Sequence, residues 1–508
     1  MHIAQSADSK NGGGTAKQAS MGVAATRGVF WIGGGQVFRQ VLGIITSIVL
    51  ARLLGPEDFG LIAMAYVFIE LGQLFADFGI GAAVVQSRNL NPSVLSSAFW
   101  ANVAVGLGLM FIVLIAAPAV GTFYADARVG PVLAALSFTL LLSGVVVVPR
   151  AILHKHLRFD LSVKAQMAGS FVGTVVAIAL ALSGAGVWSL VAQPVCGSSV
   201  TLLFTLRYGG WRPRREFSWD SIRHIVKFST DVLGSSLAGY VVTNADKLLV
   251  GKVLGSAALG LYSLGFQLML YPMTHVASVI VKVLFPTLST LQDELPRYRA
   301  AYLKSTAAIA LFTFPMMMGL YIVSEDFVSV VFGEKWLEMV PVLQVLCLVG
   351  MVKSVATTVG TIYLSMARTR AMFYISLAGV PLSVAAFVIG LPWGIVGVAS
   401  GYAVTSLLLL YVYLTIAFRT VHLRFSEFHA SLIRPLTASL VMTAAVWLSH
   451  AWLLKQTDFG AQGRLALCVV IGGAVYVLMS LLINRKQVEQ LVQISLAALK
   501  PRRGAATE

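Results

Sequence analysis

Ionisable and amide side chains recur at helical spacing inside stretches of this sequence that are otherwise apolar. Tyr66, Glu70, Gln73 and Asp77 follow a 4-3-4 spacing, which puts them on one face of a helix. Similar stripes are Gln36, Arg39 or Gln40, Gly43, and Thr46 or Ser47; Ser236, Tyr240, Asn244 and Lys247; and Gln267, Tyr271, His275, Ser278 and Lys282. Lys353 and Thr357 form a shorter one. A guanidinium is a planar fork that matches phosphate oxygens. Arg39, Lys353, Lys247 and Lys282, with Gln36, Asn244 and Tyr240 beside them, therefore suit an anionic, phosphorylated ligand. Glu70, Asp77 and Asp246 supply carboxylates able to carry protons as a cavity opens and closes.

Each of these residues also has a plainer structural use. Arg39 and Glu70 fall near the middle of their apolar runs, where a charge costs about 2.5 to 3.5 kcal/mol; they either face a wet cavity or pair with each other. Asp246 and Lys247 are sequence neighbours and cannot share a helix face. Lys282 is close enough to the inner surface to snorkel. Asp77, in "FADFGIG", equally suits capping at an irregular helix end.

Catalytic patterns are missing. No paired carboxylates, nucleotide loop or metal-ligand cluster is visible, and "GGGTAK" at Gly12 lacks phosphate-loop spacing. "HKH" at His154 reads as part of a basic inner loop. Cys196, Cys347 and Cys468 lie inside apolar stretches in no ligand spacing, so neither a disulfide framework nor a metal site follows. No enzyme activity, cofactor or metal is expected.

The elements that must position the stripes are membrane helices. Of 508 residues, 57% are hydrophobic and 11% charged, against roughly a quarter charged in soluble domains. About 14 stretches approach the roughly 20 apolar residues a bilayer crossing needs, the first starting near Val29 and the last near Leu465. They are too long for barrel strands of about ten residues. The net charge of +16 is unevenly placed: with a cytoplasmic N-terminus, about 27 of the 37 Lys and Arg fall on the inner side. The cluster "RYGGWRPRREFSWDSIRHIVKF" from Arg207 reads as a basic segment on anionic lipid, not as a nucleic-acid site. Both termini are expected in the cytoplasm. Pro194, Pro272, Pro315 and Pro381 lie inside spans and predict bends.

One pattern occurs twice. Aligning Ala51 with Gly251, without a gap, pairs Arg52 with Lys252, Leu54 with Leu254, Gly55 with Gly255, Gly60 with Gly260, Leu61 with Leu261 and Tyr66 with Phe266. A weaker echo pairs "GVWSLVAQ" at Gly186 with "GIVGVASG" at Gly394. Two ordered echoes at similar offset predict a duplicated six-helix unit. Six crossings return the chain to its starting side, so the copies are parallel. The expected fold is an all-α polytopic membrane protein of about 14 helices, two parallel six-helix lobes plus two C-terminal helices. Its parts would be a disordered cytoplasmic tail (1–26), an N-lobe (27–206), a basic linker (207–228), a C-lobe (229–420), two further helices (421–484) and a cytoplasmic tail (485–508). Two lobes across a gap suit a transporter with its site near mid-depth.

Several stretches resemble the multidrug/oligosaccharidyl-lipid/polysaccharide flippase superfamily and, within it, Wzx-type polysaccharide exporters of the colanic acid exporter branch. They are "LARLLGPEDFGLIAM" from Leu50, "FADFGIGAAVVQ" from Phe75, "VLFPTLSTLQDE" from Val283 and "FVSVVFGEKWLEMVPVLQVLCLVG" from Phe327. The resemblance implies a MATE-like fold in a bacterial inner membrane. Its implied cargo is an undecaprenyl-diphosphate-linked oligosaccharide, flipped between leaflets for exopolysaccharide or lipopolysaccharide synthesis. A polysaccharide polymerase, a chain-length regulator and membrane lipids would be its partners. A cation-coupled multidrug antiporter or a cell-wall lipid precursor flippase of the same fold is the alternative.

Overall fold

The structure, a computed structural model, describes residues 12–76, 92–454 and 460–483; the side chains of 12–30, 219–236, 238, 241 and 242 are not part of the description. Its helices are α1 (Gly12–Leu53), α2 (Pro56–Ala76), α3 (Pro92–Tyr124), α4 (Val129–Lys155), α5 (Phe159–Leu182), α6 (Val187–Gly209), α7 (Trp219–Pro272), α8 (Ser278–Thr290), α9 (Leu295–Val331), α10 (Val340–Ser365), α11 (Thr369–Gly390), α12 (Gly394–Val421), α13 (Phe425–Leu453) and α14 (Ala461–Ile483). No strand occurs among the described residues. A helix satisfies its own backbone donors and acceptors, which lipid cannot do.

Among the described residues twelve stretches are long and apolar enough to cross a membrane. Two of them, Thr243–Thr290 with 48 residues and Thr369–Val421 with 53, are more than twice the length of roughly 20 residues that one crossing needs. Both are broken. The first breaks at Gly255, with φ 86° and ψ −179°. The second breaks at the tight turn Leu391–Trp393, followed by Gly394 at φ 69°. Divided there, with the segment before Gly255 continuing back through α7 to Trp219, they give fourteen helical segments among the described residues, roughly in line with the expected number.

The chain forms two compact units, Met1–Gly260 and Leu261–Glu508. In the first, α3 packs on α4, α5 on α6, α4 on α6 and α2 on α4. In the second, α9 packs on α10, α11 on α12, α10 on α12 and α8 on α10, while α13 and α14 pack on α9. These four pairings of the first unit recur in the second at an offset of six helices.

The repeated pattern has a physical basis at its glycines. Gly255 takes a left-handed φ that a side chain disfavours, and the break between α1 and α2 lies at the matching Gly55. A Cβ built on Gly60 would lie 1.7 Å from the Ser256 carbonyl oxygen, and one on Gly260 would lie 1.9 Å from that of Pro56. Pro56 and Ser256 are themselves matched positions, so the two copies of the pattern touch reciprocally within the first unit.

Two segments differ from expectation. Helix α1 begins at Gly12, so residues 12–26 of the segment read as a disordered tail are helical; alanine, lysine, glutamine and methionine there are good helix formers. The basic linker, read as 207–228, is helical at both ends and irregular only over 210–218. That stretch is pinned to the start of α3. The Arg214 N–H donates to Ser96 Oγ at 3.0 Å, the Trp100 indole donates to the Arg214 carbonyl at 2.8 Å, and the Ser218 N–H donates to Ser97 Oγ at 2.9 Å. Pro272 ends α7 directly before a wide π turn, Met273–Ala277, as a missing helix hydrogen bond favours.

Between α3 and α4, the Arg128 guanidinium donates to both Asp126 carboxylate oxygens, at 3.0 and 2.9 Å, and to Glu57 at 3.2 Å. The hydrogen bonds from Arg128 hold the Asp126 carboxyl below the usual value, against an opposing effect of burial. The stabilisation is therefore present above the ordinary carboxylate range and lost as pH falls through the lower folded value. Because Arg128 is more than half exposed, Asp126→Asn should cost only about 0.5 kcal/mol at neutral pH. The difference in thermal midpoint from wild type should shrink towards zero on acidification below about pH 4; a pH-independent difference would refute this origin.

Candidate functional site

Five helices of the first unit, α1, α2, α4, α5 and α6, converge on a cavity of about 480 Å³. Arg39 from α1 and Arg150 from α4 enter it, with Tyr66 from α2, Gln166 from α5 and Gln193 from α6. The two guanidiniums are close enough for their like charges to act on each other. Among the described residues that line this cavity, none is a carboxylate. A cavity with two cations and no acid has a positive field that an anion would relieve.

Helix α1 is fixed against α5 by a ladder of side chains. Near the start of the span, Lys164 Nζ lies 5.0 Å from the Trp31 ring centroid. In the middle, Arg39 donates to the side-chain carbonyl of Gln166 and, at 2.7 Å, to that of Gln36. Further along, Thr46 and Thr174 share a buried hydrogen bond of 2.9 Å. Glycine makes room for the adjacent helix: a Cβ on Gly169 of α5 would lie 2.4 Å from the Gly197 carbonyl of α6, the close approach that small residues permit in membranes.

The candidate residues read from the sequence divide into several places. Of the candidate ligands Arg39 lines this cavity, with Gly43 and Tyr66 of the same polar stripes; Gln36 is exposed and steadies Arg39. Arg39 does not pair with Glu70: its hydrogen bonds go to two neutral amides, so the ion-pair alternative fails. Glu70 is half-buried and acts electrostatically on Tyr66 and Tyr240. The Tyr240 hydroxyl donates to the Val67 carbonyl. Lys247 Nζ donates to Asn244 Oδ1 at 3.0 Å, and buried Asp246 accepts from the Lys247 backbone N–H at 2.8 Å. Tyr240, Asn244 and Lys247 thus form a face of α7 and do not line the Arg39 cavity. In the second unit, half-buried Lys353 lies 4.9 Å from the Tyr402 ring centroid, a cation–π contact. Lys282 is exposed on α8. Asp77 lies outside the described residues.

Two groups of residues escaped the sequence reading. Arg150 belongs to no polar stripe in the sequence, and His154, Lys155 and Arg158 follow it closely. Ser162, Gln166, Ser170 and Thr174 form an unbroken every-fourth-residue stripe on α5, and that regularity was a usable signal. In the second unit, Asp326 of α9 is buried and receives Arg464 of α14, at 2.6 and 3.3 Å, and His450 of α13, at 2.9 Å.

The family model described as polysaccharide biosynthesis protein matches residues 49–341. The lipopolysaccharide biosynthesis protein WzxC of Escherichia coli (strain K12) is 30% identical over 399 residues, covering 75% of this chain and 78% of the relative. The succinoglycan biosynthesis transport protein ExoT of Rhizobium meliloti (strain 1021) is 26% identical over 487 residues, covering 95% and 97%. Among solved structures, the lipid II flippase MurJ in an inward closed conformation superimposes with a TM-score of 0.73 at 15% identity, covering 91% of this chain and 100% of that one; at that identity the likeness concerns the fold. With a match across more than half of its length and a relative at this identity, the chain belongs to the polysaccharide biosynthesis protein family, as a multi-pass, all-helical membrane member of it.

Proposed function

We propose that this protein translocates a polyprenyl-diphosphate-linked oligosaccharide from the inner to the outer leaflet of the bacterial inner membrane by alternating access, for exopolysaccharide or lipopolysaccharide assembly. The observation that carries the reading is the cavity shared by Arg39 and Arg150, lined by amides and hydroxyls and, among the described residues, by no carboxylate. A diphosphate bears the charge that two guanidiniums attract, and fork-like donors hold it with charge-assisted hydrogen bonds. A sugar presents hydroxyls that Gln193 and neighbouring serines can bond. Lys353 would serve as a further cationic station in the second unit, and Glu70 as the carboxylate that couples movement to an ion gradient. Lys247, Lys282, Asn244, Tyr240 and Asp246 remain candidates for the cargo's path.

A drug antiporter for cations would need acidic residues where this cavity has arginines. Relatives bearing the names lipopolysaccharide biosynthesis and succinoglycan transport favour a polymer precursor over a cell-wall precursor. Both termini would lie in the cytoplasm, and a polymerase and chain-length regulator would act on the flipped product outside. The test is a deletion strain. It should accumulate undecaprenyl-linked repeat units accessible only from the inner face and should lose polymer, with both restored by the wild-type gene. Normal polymer with no such accumulation would defeat the proposal.

A further inference from the structure

Within the basic "HKH" segment, one side chain is tied to the cavity. His154, half-buried near the end of α4, has its ring 5.3 Å from that of Phe159. Its Nε2 is hydrogen-bonded to Ser162 Oγ at 3.1 Å. Gln166 Nε2 donates to the same Ser162 Oγ and to the Ser162 carbonyl, each at 3.3 Å. The other end of that amide, Oε1, accepts from the Arg39 guanidinium. Four side chains on three helices thus form one continuous chain, α4 to α5 to α1, ending at the cation of the cavity.

The chain has a direction. An amide has a donor end and an acceptor end, and Arg39 can use only the acceptor. With the Ser162 hydroxyl pointing its hydrogen at Nε2 of a neutral ring, its lone pairs face Gln166. Gln166 must then turn its NH₂ to Ser162 and its oxygen to Arg39. Every donor runs from Arg39 toward His154. Without the histidine the Ser162 hydroxyl is free to rotate, the Gln166 amide loses part of what fixes its polarity, and a flipped amide would set N–H against N–H. His154 is also one helical turn from Arg150 on α4, so the same helix places both a cation of the cavity and the anchor of the other.

We propose that His154 is a positioning residue: through Ser162 and Gln166 it fixes the orientation in which Arg39 meets a diphosphate. This rests on reading Arg39 as a diphosphate ligand. The test uses the full chain in phosphatidylcholine nanodiscs, with undecaprenyl diphosphate as probe and undecaprenol as the uncharged control. His154→Ala should weaken undecaprenyl diphosphate binding about three- to tenfold, the range one hydrogen-bond arrangement commands, and leave undecaprenol binding unchanged. His154→Gln, which can place an amide near Nε2, should restore most of it. In an Arg39→Ala background, His154→Ala should have no further effect, because the two act as a unit. Wild-type affinity in His154→Ala, or an equal loss in both backgrounds, overturns the proposal. Should His154→Ala fail to insert, Gln166→Met breaks the same chain and must show the same diphosphate-specific weakening; wild-type affinity there also overturns it. Undiminished diphosphate binding in Arg39→Ala alone would instead overturn the reading of the cavity.

Discussion

Alanine at Arg39 and Arg150 together is expected to abolish polymer export while the protein still reaches the membrane at normal levels. A charge-assisted hydrogen bond contributes about 1.5 to 3 kcal/mol, so each single substitution should cut transport about 10- to 100-fold. The double variant removes both guanidiniums from the cavity. Arg39→Lys should not rescue, because the guanidinium already spends donors on Gln36 and Gln166 and a single ammonium cannot do this and still present a planar fork to phosphate. The measurements are surface polymer, undecaprenyl-linked intermediates on the inner face, and membrane-inserted protein by immunoblot. Export at wild-type level in the double variant would remove the diphosphate reading of this site.

Asp326→Ala should be the most destabilising of these substitutions. Its carboxylate is 5% exposed and holds Arg464, itself only 22% exposed, with His450 on the other side. Arg464 is in the first turn of α14, where the positive end of the helix dipole disfavours a cation; Asp326 supplies the compensating charge. Removing one partner of such a pair leaves a charge without compensation and costs about 3 kcal/mol, the lower end for buried pairs because Arg464 keeps some access to solvent. A thermal or denaturant midpoint of the detergent-solubilised protein reads this directly. Asp326→Leu with Arg464→Leu should recover most of the loss, since apolar replacement of both partners is often neutral. If the double variant is no better than the single, the cost lies in packing and not in the stranded charge.

Helices were legible because the bilayer imposes one length on every crossing, so apolar runs and their breaks locate them. Gly55 and Gly255 were legible because the same turn occurs twice in one chain. Arg39 stood out as a charge in mid-span. Gln166 carries no charge, and only its regular spacing with Ser162, Ser170 and Thr174 marks it in the sequence. Arg150 was hidden by the basic residues that follow it. Asp326, His450 and Arg464 come from three helices far apart in sequence, and no periodicity joins residues that only folding brings together. Helical structure from Gly12 was obscured by three glycines, which read as an unstructured tail when taken alone.

The crossed contacts of Gly60 with Ser256 and of Gly260 with Pro56 leave no slack on either side, because each glycine meets main chain and not a side chain that a second mutation could trim. Any side chain at position 60 or 260 would have to push one of the two main chains aside. The crossing therefore keeps its two glycines for as long as the backbones run that close.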